Sequence, residues 1–292
     1  MKMPESQAVS DGGPLAMICG GGSLPFAVAD AVQRGGRRVV LFPVRGAADA
    51  ERVTRYAHHW ISLGQYGWFR RITAREGCRD VVFIGSLVRP ALSQVKLDIG
   101  TLLVLPQIVA AFRGGDNHML SSFARMLEGH GYRVLGSHEV APEILVPTGV
   151  LGRHAPSERD RNDIARGLAL INTIGGFDVG QAAVVANNHV LAIEAIEGTD
   201  QMLARVAELR RLGRIRATAG GILVKAPKPN QDRRFDLPSI GPQTVEGVAR
   251  AGLAGLAVVA GQAIIAEPAE VAQAADHVGL FVLGVPSDGT SQ

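Results

Sequence analysis

The stretch PLAMICGGGSLPFAVADAVQRGGRRVVLFPV, residues 14–44, runs from an apolar strand through a glycine turn into an amphipathic helix over about Pro25 to Gln33, then into a second apolar strand. Periods of two and of 3.6 alternate within thirty-one residues, which is a β-α-β start. The alternation continues. WISLGQYGWFRRITAREGCRDVVFIGSL, 60–87, predicts a helix over Tyr66 to Glu76 and a fully apolar strand over Asp80 to Gly85. TLLVLPQIVAAF, 101–112, is a long apolar segment, and GGDNHMLSSFARMLEGHGYRVLG, 114–136, reads as a helix followed by a strand ending near Gly136. Strands alternating with helices favour a parallel sheet covered on both faces.

The pattern changes across GSHEVAPEILVPTGVLGRHAPSERD, 136–160, a Pro- and Gly-rich stretch that reads as a linker. The expected organisation is a disordered tail over 1–13, a first α/β domain over 14–150 and a mixed α/β domain over 151–292. The second half opens with a helix over about Arg159 to Ile174. Asn187-Asn188 between apolar runs reads as a hairpin turn, a second hairpin is expected around Gly261-Gln262, and a helix over Pro268 to Asp276 follows.

At 292 residues and 47% hydrophobic composition the chain can bury a substantial core and divide in two. Thirty basic against 27 acidic residues is too balanced to argue for a nucleic-acid partner, and three Tyr and two Trp leave few stacking platforms. Cys19 and Cys78 are far apart in apolar surroundings, forming neither a metal pair nor a disulfide framework, which fits a reducing cytoplasm. The polar opening MKMPESQAVSDGG and the lack of an eighteen-residue apolar run read as neither signal peptide nor membrane span.

CGGGSLP, 19–25, lies where a strand gives way to a helix, so its amides suit a phosphate. It is an incomplete dinucleotide fingerprint. Pro25 stands at the third glycine position, and the second strand ends in FPVRG with no acidic residue for a ribose, so a phosphate or nucleotide contact is expected rather than NAD. GDNH, 115–118, lacks the companion blocks of a metallophosphoesterase, and Asp116 reads as a helix cap. GSHEV places His138 and Glu139 at a strand end, where a histidine orients substrate or structure. In AIEAIEGTDQML, a strand carrying Glu194 and Glu197 on opposite faces leads to Thr199 and Asp200, either of which can cap the next helix. A cap does not explain Glu197, and carboxylates of this kind suit Mg²⁺.

LVKAPKPNQDRRFDLPSIG, 223–241, is shaped by Pro227, Pro229 and Pro238 and holds Lys225, Lys228, Asp232, Arg233, Arg234 and Asp236. Lys225 and Lys228 can neutralise phosphate oxygens, and Asp236 can bind a metal or orient a water. Rigid support is what a reacting group needs.

Together GGGSLP (20–25), IGSLVRP (84–90), GSHEV (136–140), DVGQAAVV (178–185), AIEGTDQML (195–203), KAPKPNQDRRFDLPSIG (225–241), GLAGLAVVAG (252–261) and GLFVLG (279–284) resemble, in order and spacing, the UDP-2,3-diacylglucosamine pyrophosphatase family of LpxI type. The resemblance covers Leu15 to Gly284. It implies a Rossmann-like parallel-sheet N-terminal domain plus a mixed α/β C-terminal domain, with the lipid-linked nucleotide sugar held between them. It implies hydrolysis of UDP-2,3-diacylglucosamine to UMP and 2,3-diacylglucosamine 1-phosphate in lipid A biosynthesis, with Mg²⁺ or another divalent cation and attack on the β phosphorus. The essential aspartate falls on Asp236, with Lys225 and Lys228 beside it in catalysis and Asp236 and Glu197 as metal ligands. Substrate contacts are expected from Gly21, Gly22, Ser23, Ser86, Arg89, His138, Gln181, Thr199, Asp200 and Gln231. The expectation extends to a cytoplasmic homodimer with no nucleic-acid partner that meets the inner membrane peripherally. TLLVLPQIVAAF could lend surface to the acyl chains, although a buried helix is the simpler reading. Rival readings are a nucleotide-sugar oxidoreductase or transferase using the glycine turn, and a non-catalytic sensor of a nucleotide or lipid.

Overall fold

The computed structural model describes residues 13–86, 97–111, 116–177, 179–216, 220–229, 232–235 and 237–287, with the backbone alone at 110, 111 and 116–119. The chain forms two compact units: Met1–Glu143 with Asp232–Phe235, and Ile144–Gln231 with Asp236–Gln292.

In the first unit the order is β1 (Leu15–Cys19), α1 (Leu24–Arg34), β2 (Val39–Pro43), α2 (Ala50–Val53), α3 (Tyr66–Glu76), β3 (Asp80–Ile84), α4 (Ile99–Ala111), α5 (Asp116–Gly129), β4 (Arg133–Leu135) and α6 (Ser137–Val140). The strands form a parallel sheet in the order β2-β1-β3-β4. Its central strands are apolar because helices cover both faces, and β1 and β2 are buried along almost their whole length. Pro25 in the first turn of α1 gives up an amide that would have had no partner there. The Asp49 carboxylate accepts the amides of Glu51 and Arg52 and so starts α2.

The second unit contains β5 (Gly149–Leu151), α7 (Glu158–Ile174), β6 (Ala182–Ala186), β7 (His189–Ile193), α8 (Gly198–Arg211), β8 (Ile222–Lys225), β9 (Ser239–Ile240), α9 (Pro242–Arg250), β10 (Gly255–Val259), β11 (Ile264–Ile265), α10 (Pro268–Val278) and β12 (Phe281–Val285). The main sheet runs β5-β12-β10-β8-β6-β7, with β12, β10 and β8 parallel and β5, β6 and β7 antiparallel to their neighbours. This is the expected pairing of a parallel and a mixed α/β layer. Asn187 and Asn188 both take positive φ, 51° and 64°, as the two-residue turn between β6 and β7 requires. The Asp163 carboxylate, buried on α7, accepts both of their amides at 2.8 and 2.6 Å and fixes the turn.

Three expectations change. The hairpin at Gly261-Gln262 is absent: β10 pairs with β8 and β12, while β11 pairs in parallel with β9 in a separate two-stranded sheet. A tight turn between apolar runs cannot tell which strand the second run will join. The described part of TLLVLPQIVAAF, 101–111, is helical within α4, but it is not a buried helix, since Leu102, Leu103 and Val109 are exposed. The apolar character of a segment does not fix how much of it finds a neighbour. The stretch read as a linker does contain the division between the two units, at Glu143 and Ile144, but it is structured, holding α6 and β5, with β5 paired to β12.

Asp80, at the start of β3, is a buried carboxylate between two arginines. Arg133 donates to it twice, at 2.8 and 2.7 Å, and Arg37 donates a further bond. Burial alone would raise its pKa, but the hydrogen bonds from Arg133 and Arg37 outweigh burial and hold the carboxyl below its usual range. A depressed folded-state pKa contributes stability above the unfolded value and loses it as pH falls through the folded value. Asp80→Asn should therefore lower unfolding free energy by about 2 kcal/mol at neutral pH. The difference from the parent should narrow as pH falls through the carboxylate range, measured by urea unfolding at a series of pH values.

Candidate active site

In the first unit, strand order reverses at β1, whose neighbours β2 and β3 lie on either side, and ligands of open α/β sheets bind outside the carboxyl ends at such a point. The glycine turn leaves β1 there. The Gly21 amide donates to the Ser86 carbonyl at 2.8 Å and the Ser86 amide returns a bond to Gly21 at 3.1 Å, so the residues after β1 and after β3 are clamped together. A side chain at Gly20 would put its Cβ 2.3 Å from the Ser86 carbonyl oxygen, so this approach needs glycine. Ser23 stands at the N-cap of α1 without a side-chain cap bond, which leaves its hydroxyl and the helix end for a ligand. Gly21, Gly22, Ser23 and Ser86 are thus gathered at one edge, as expected.

His138 follows β4 at the same edge, on the short helix α6 rather than at the strand end itself. The Glu139 carboxylate accepts the Gly136 amide at 2.6 Å, a structural task. Among the described residues His138 Nδ1 is buried with no hydrogen-bond partner. Burial pushes the His138 pKa down, Glu139 and Asp232 oppose that, and Arg233 adds to it, with the net shift downward. A neutral imidazole with an unused ring nitrogen is suited to orienting a ligand.

Residues 232–235, the segment just before Asp236 in sequence, pack into the first unit. The Phe235 ring meets Phe83 edge-on at 5.6 Å, and Arg234 donates to Glu128 at 2.6 Å and to Asp232 at 2.8 Å. Sequence reading treated this segment only as charge. The signal it passed over was Phe235, an aromatic in a charged loop, which is what anchors it. Asp236, Gln231 and Arg89 lie outside the described residues.

In the second unit the carboxyl end of β8 carries Lys225, 5% exposed, whose ammonium donates to the Ser239 carbonyl at 2.9 Å. Lys225 is in register with Ala182 of β6 and Val258 of β10. Gln181, immediately before β6, therefore sits at the same edge, its carbonyl accepting the Ala226 amide at 3.0 Å. Gln181 Oε1 is buried without a partner among the described residues. Lys228 lies three residues beyond Lys225, half-buried in the proline-bounded loop.

β7 ends at Ile193, so Glu194 and Glu197 follow the strand rather than occupy it. Buried Glu194 takes the Gln181 amide at 2.9 Å and the Thr199 hydroxyl at 2.7 Å, holding Gln181 and α8 in place. Neither Thr199 nor Asp200 caps α8, because the helix starts earlier: Glu197 is the N-cap residue, Thr199 is turned to Glu194, and Asp200 is exposed. Glu197 pairs with Arg205 at 2.7 Å and accepts the Ala195 amide at 3.2 Å. With both oxygens engaged, Glu197 does not fit the role of metal ligand as it stands. Among the described residues no group of three or more His, Cys, Asp or Glu side chains converges. Both cysteines are buried free thiols, and burial pushes Cys19 up to about 12 and Cys78 up to about 11, which leaves them unreactive.

A parallel β/α unit with a clamped glycine turn at its switch point, followed by a mixed unit with a buried lysine at a carboxyl edge, defines a two-unit α/β protein. The chain matches the LpxI N-terminal domain over residues 14–144 and the LpxI C-terminal domain over 147–283. It belongs to the LpxI family. A relative from Caulobacter vibrioides, named UDP-2,3-diacylglucosamine pyrophosphatase LpxI, is 41% identical over 272 residues, covering 93% of this chain and 97% of the relative.

The unpartnered Gln181 oxygen gives a prediction that separates binding from folding. Gln181→Met removes a buried acceptor that no protein group satisfies, so the melting temperature should hold or rise. Substrate affinity should fall about tenfold, from the loss of one hydrogen bond worth about 1.4 kcal/mol. A variant that melts early with unchanged KM would show the amide to be structural.

Proposed function

We propose that this chain hydrolyses the pyrophosphate of UDP-2,3-diacylglucosamine, giving UMP and 2,3-diacylglucosamine 1-phosphate for lipid A biosynthesis. What carries the reading is the near full-length kinship with a protein named for that activity. The geometry supports it, because the groups left unsatisfied or uncapped, Ser23, His138 and Gln181, are residues that a diphosphate-linked substrate would engage.

In the proposed reaction the oxygen of a water bonds to the β phosphorus, the bond from that phosphorus to the bridging oxygen breaks, and UMP leaves with the bridging oxygen. The proton lost by the water goes to solvent or to a base. Gly21, Gly22, Ser23 and Ser86 take nucleotide or phosphate oxygens. Lys225 and Lys228 offset charge that grows on the nonbridging oxygens in the transition state. His138, Gln181, Thr199 and Asp200 orient the substrate, with Arg89 and Gln231 as further contacts. Asp236 is the essential carboxylate that positions the water. A divalent cation, Mg²⁺, is part of the proposal with Asp236 and the substrate phosphates as its partners, and Glu197 is left out of that set. The same reading places a homodimer in the cytoplasm, in peripheral contact with the inner membrane.

Incubating the purified protein with UDP-2,3-diacylglucosamine and Mg²⁺ should release UMP, and EDTA should stop it. Binding without UMP release would leave a sensor rather than an enzyme. In ¹⁸O-water the label should appear in the lipid phosphate and not in UMP. Label in UMP would move the attack to the α phosphorus. Lys225→Met keeps the length of a buried side chain and removes its charge, so folding should survive while kcat falls about a hundredfold. Asp236→Ala should abolish turnover.

A further inference from the structure

On the first unit, α3 and α4 line an open pocket of about 440 Å³, with His130 also among its lining residues. Its polar lining is basic or neutral: Tyr66, Arg70 and Arg71 from α3, Gln107 from α4, and His130. No carboxylate lines it, and neither Arg70 nor Arg71 has a carboxylate partner among the described residues. Tyr66 Oη is buried with no hydrogen-bond partner among the described residues. Burial pushes the Tyr66 pKa up to about 12, with Arg70 pulling against it, so the phenol keeps its proton and remains a donor. A donor with no acceptor, beside two exposed guanidinium groups, calls for an anion.

The second helix lining this pocket has a further character. Gly100, Leu103, Val104 and Gln107 of α4 line it, while Ile99, Leu102, Leu103 and Val109 stand out into solvent, Ile99 at 79% and Leu103 at 80% exposure. These positions recur at helical spacing, so the apolar residues share one side of α4, next to the side that lines the pocket with the α3 arginines. The two helices are held in this relation at their N-termini. The Asp98 carboxylate accepts the amides of Gly67, Trp68 and Thr101, and a side chain at Gly100 would put its Cβ 2.4 Å from the Gly67 Cα.

We propose that this face docks on an anionic bilayer, a lipid headgroup phosphate entering the Tyr66–Arg70–Arg71 cavity while Ile99, Leu102 and Leu103 enter the acyl boundary. The charge is complementary to such a surface, and an apolar ridge beside a basic pocket is the form interfacial binding takes. The inference rests on the reading of the substrate as a membrane lipid and names the surface that would bring the protein to it.

The full chain should co-sediment with vesicles of phosphatidylcholine mixed with phosphatidylglycerol, and only weakly with phosphatidylcholine alone. Arg70→Ala and Arg71→Ala should each weaken binding about fivefold, and added salt should weaken it further. Leu103→Asp, at a site too exposed to matter for folding, should reduce it severalfold. UMP release from substrate in detergent micelles, measured on the same variants, should stay at the parent level. Equal binding to both kinds of vesicle, or binding unaffected by these changes, would overturn the proposal. So would a shift of Leu103→Asp to a smaller species in size-exclusion chromatography, which would make the face an interface between copies. Inorganic phosphate alone displacing the protein from vesicles at modest concentration would also overturn it, as the mark of a free-phosphate site. Vesicle binding without UMP release would support this surface and sink the hydrolase reading, and UMP release without vesicle binding would do the reverse.

Discussion

An ammonium group buried at the end of a strand sets the terms for the second unit. Lys225 lies deep in the main sheet at the carboxyl end of β8, with strands paired on both sides of it. A charge in that position is tolerated only if oxygen atoms meet it, because the desolvation it suffers is worth several kcal/mol. The Ser239 carbonyl is one such oxygen, and it comes from the residue at which the proline-bounded loop returns. The same residue begins β9, which pairs with β11, so the ion contact and a small sheet fix the returning chain together. A neutral side chain at 225 would fill the space as well, but would leave the loop without this tether. Retaining the charge makes sense where a second anion is to be met.

The first unit meets a related problem at the carboxyl ends of its strands. Its parallel strands all end at one edge, and the peptide groups beyond those ends need partners or a ligand. Part of the demand is met internally, by the reciprocal bonds of Gly21 and Ser86. The rest is left open at Ser23 and His138. The segment 232–235 is drawn to this unit by Phe235 and by the bonds of Arg234. Asp236 is the residue that follows it in sequence.

The two α/β layers were legible from the sequence because strands buried on both faces read as unbroken apolar runs, and the glycine turn of 19–25 marks the first crossover. The Asn187-Asn188 turn was legible for an equally local reason, since both residues accept positive φ. The Gly261-Gln262 turn carries a similar local signal, yet β11 leaves for β9, a choice made by partners far away in sequence. For the site, residue types at motif positions point to Ser23, Ser86, His138, Gln181 and Lys225 as candidates, but not to what each atom does. Glu197 shows the limit. Its carboxylate was attractive as a ligand until Arg205, eight residues on in α8, occupied it. Glu194, which locks Gln181 in place, was invisible as a support because the end of β7 falls one residue before it.

Charge and neutrality are divided among these residues in a consistent way. His138 sits where burial disfavours its imidazolium, and Gln181 carries no charge at all, so each can accept or donate a directed hydrogen bond without adding to the field. Lysine supplies the field, as a compact cation whose effect on a phosphoryl oxygen does not depend on a planar fit. A diphosphate needs both: its charge is spread over oxygens that change little in position during attack, whereas the groups attached to it decide which bond is presented to the water. A buried polar atom without a partner carries a desolvation cost, and a hydrogen bond from a ligand would remove it.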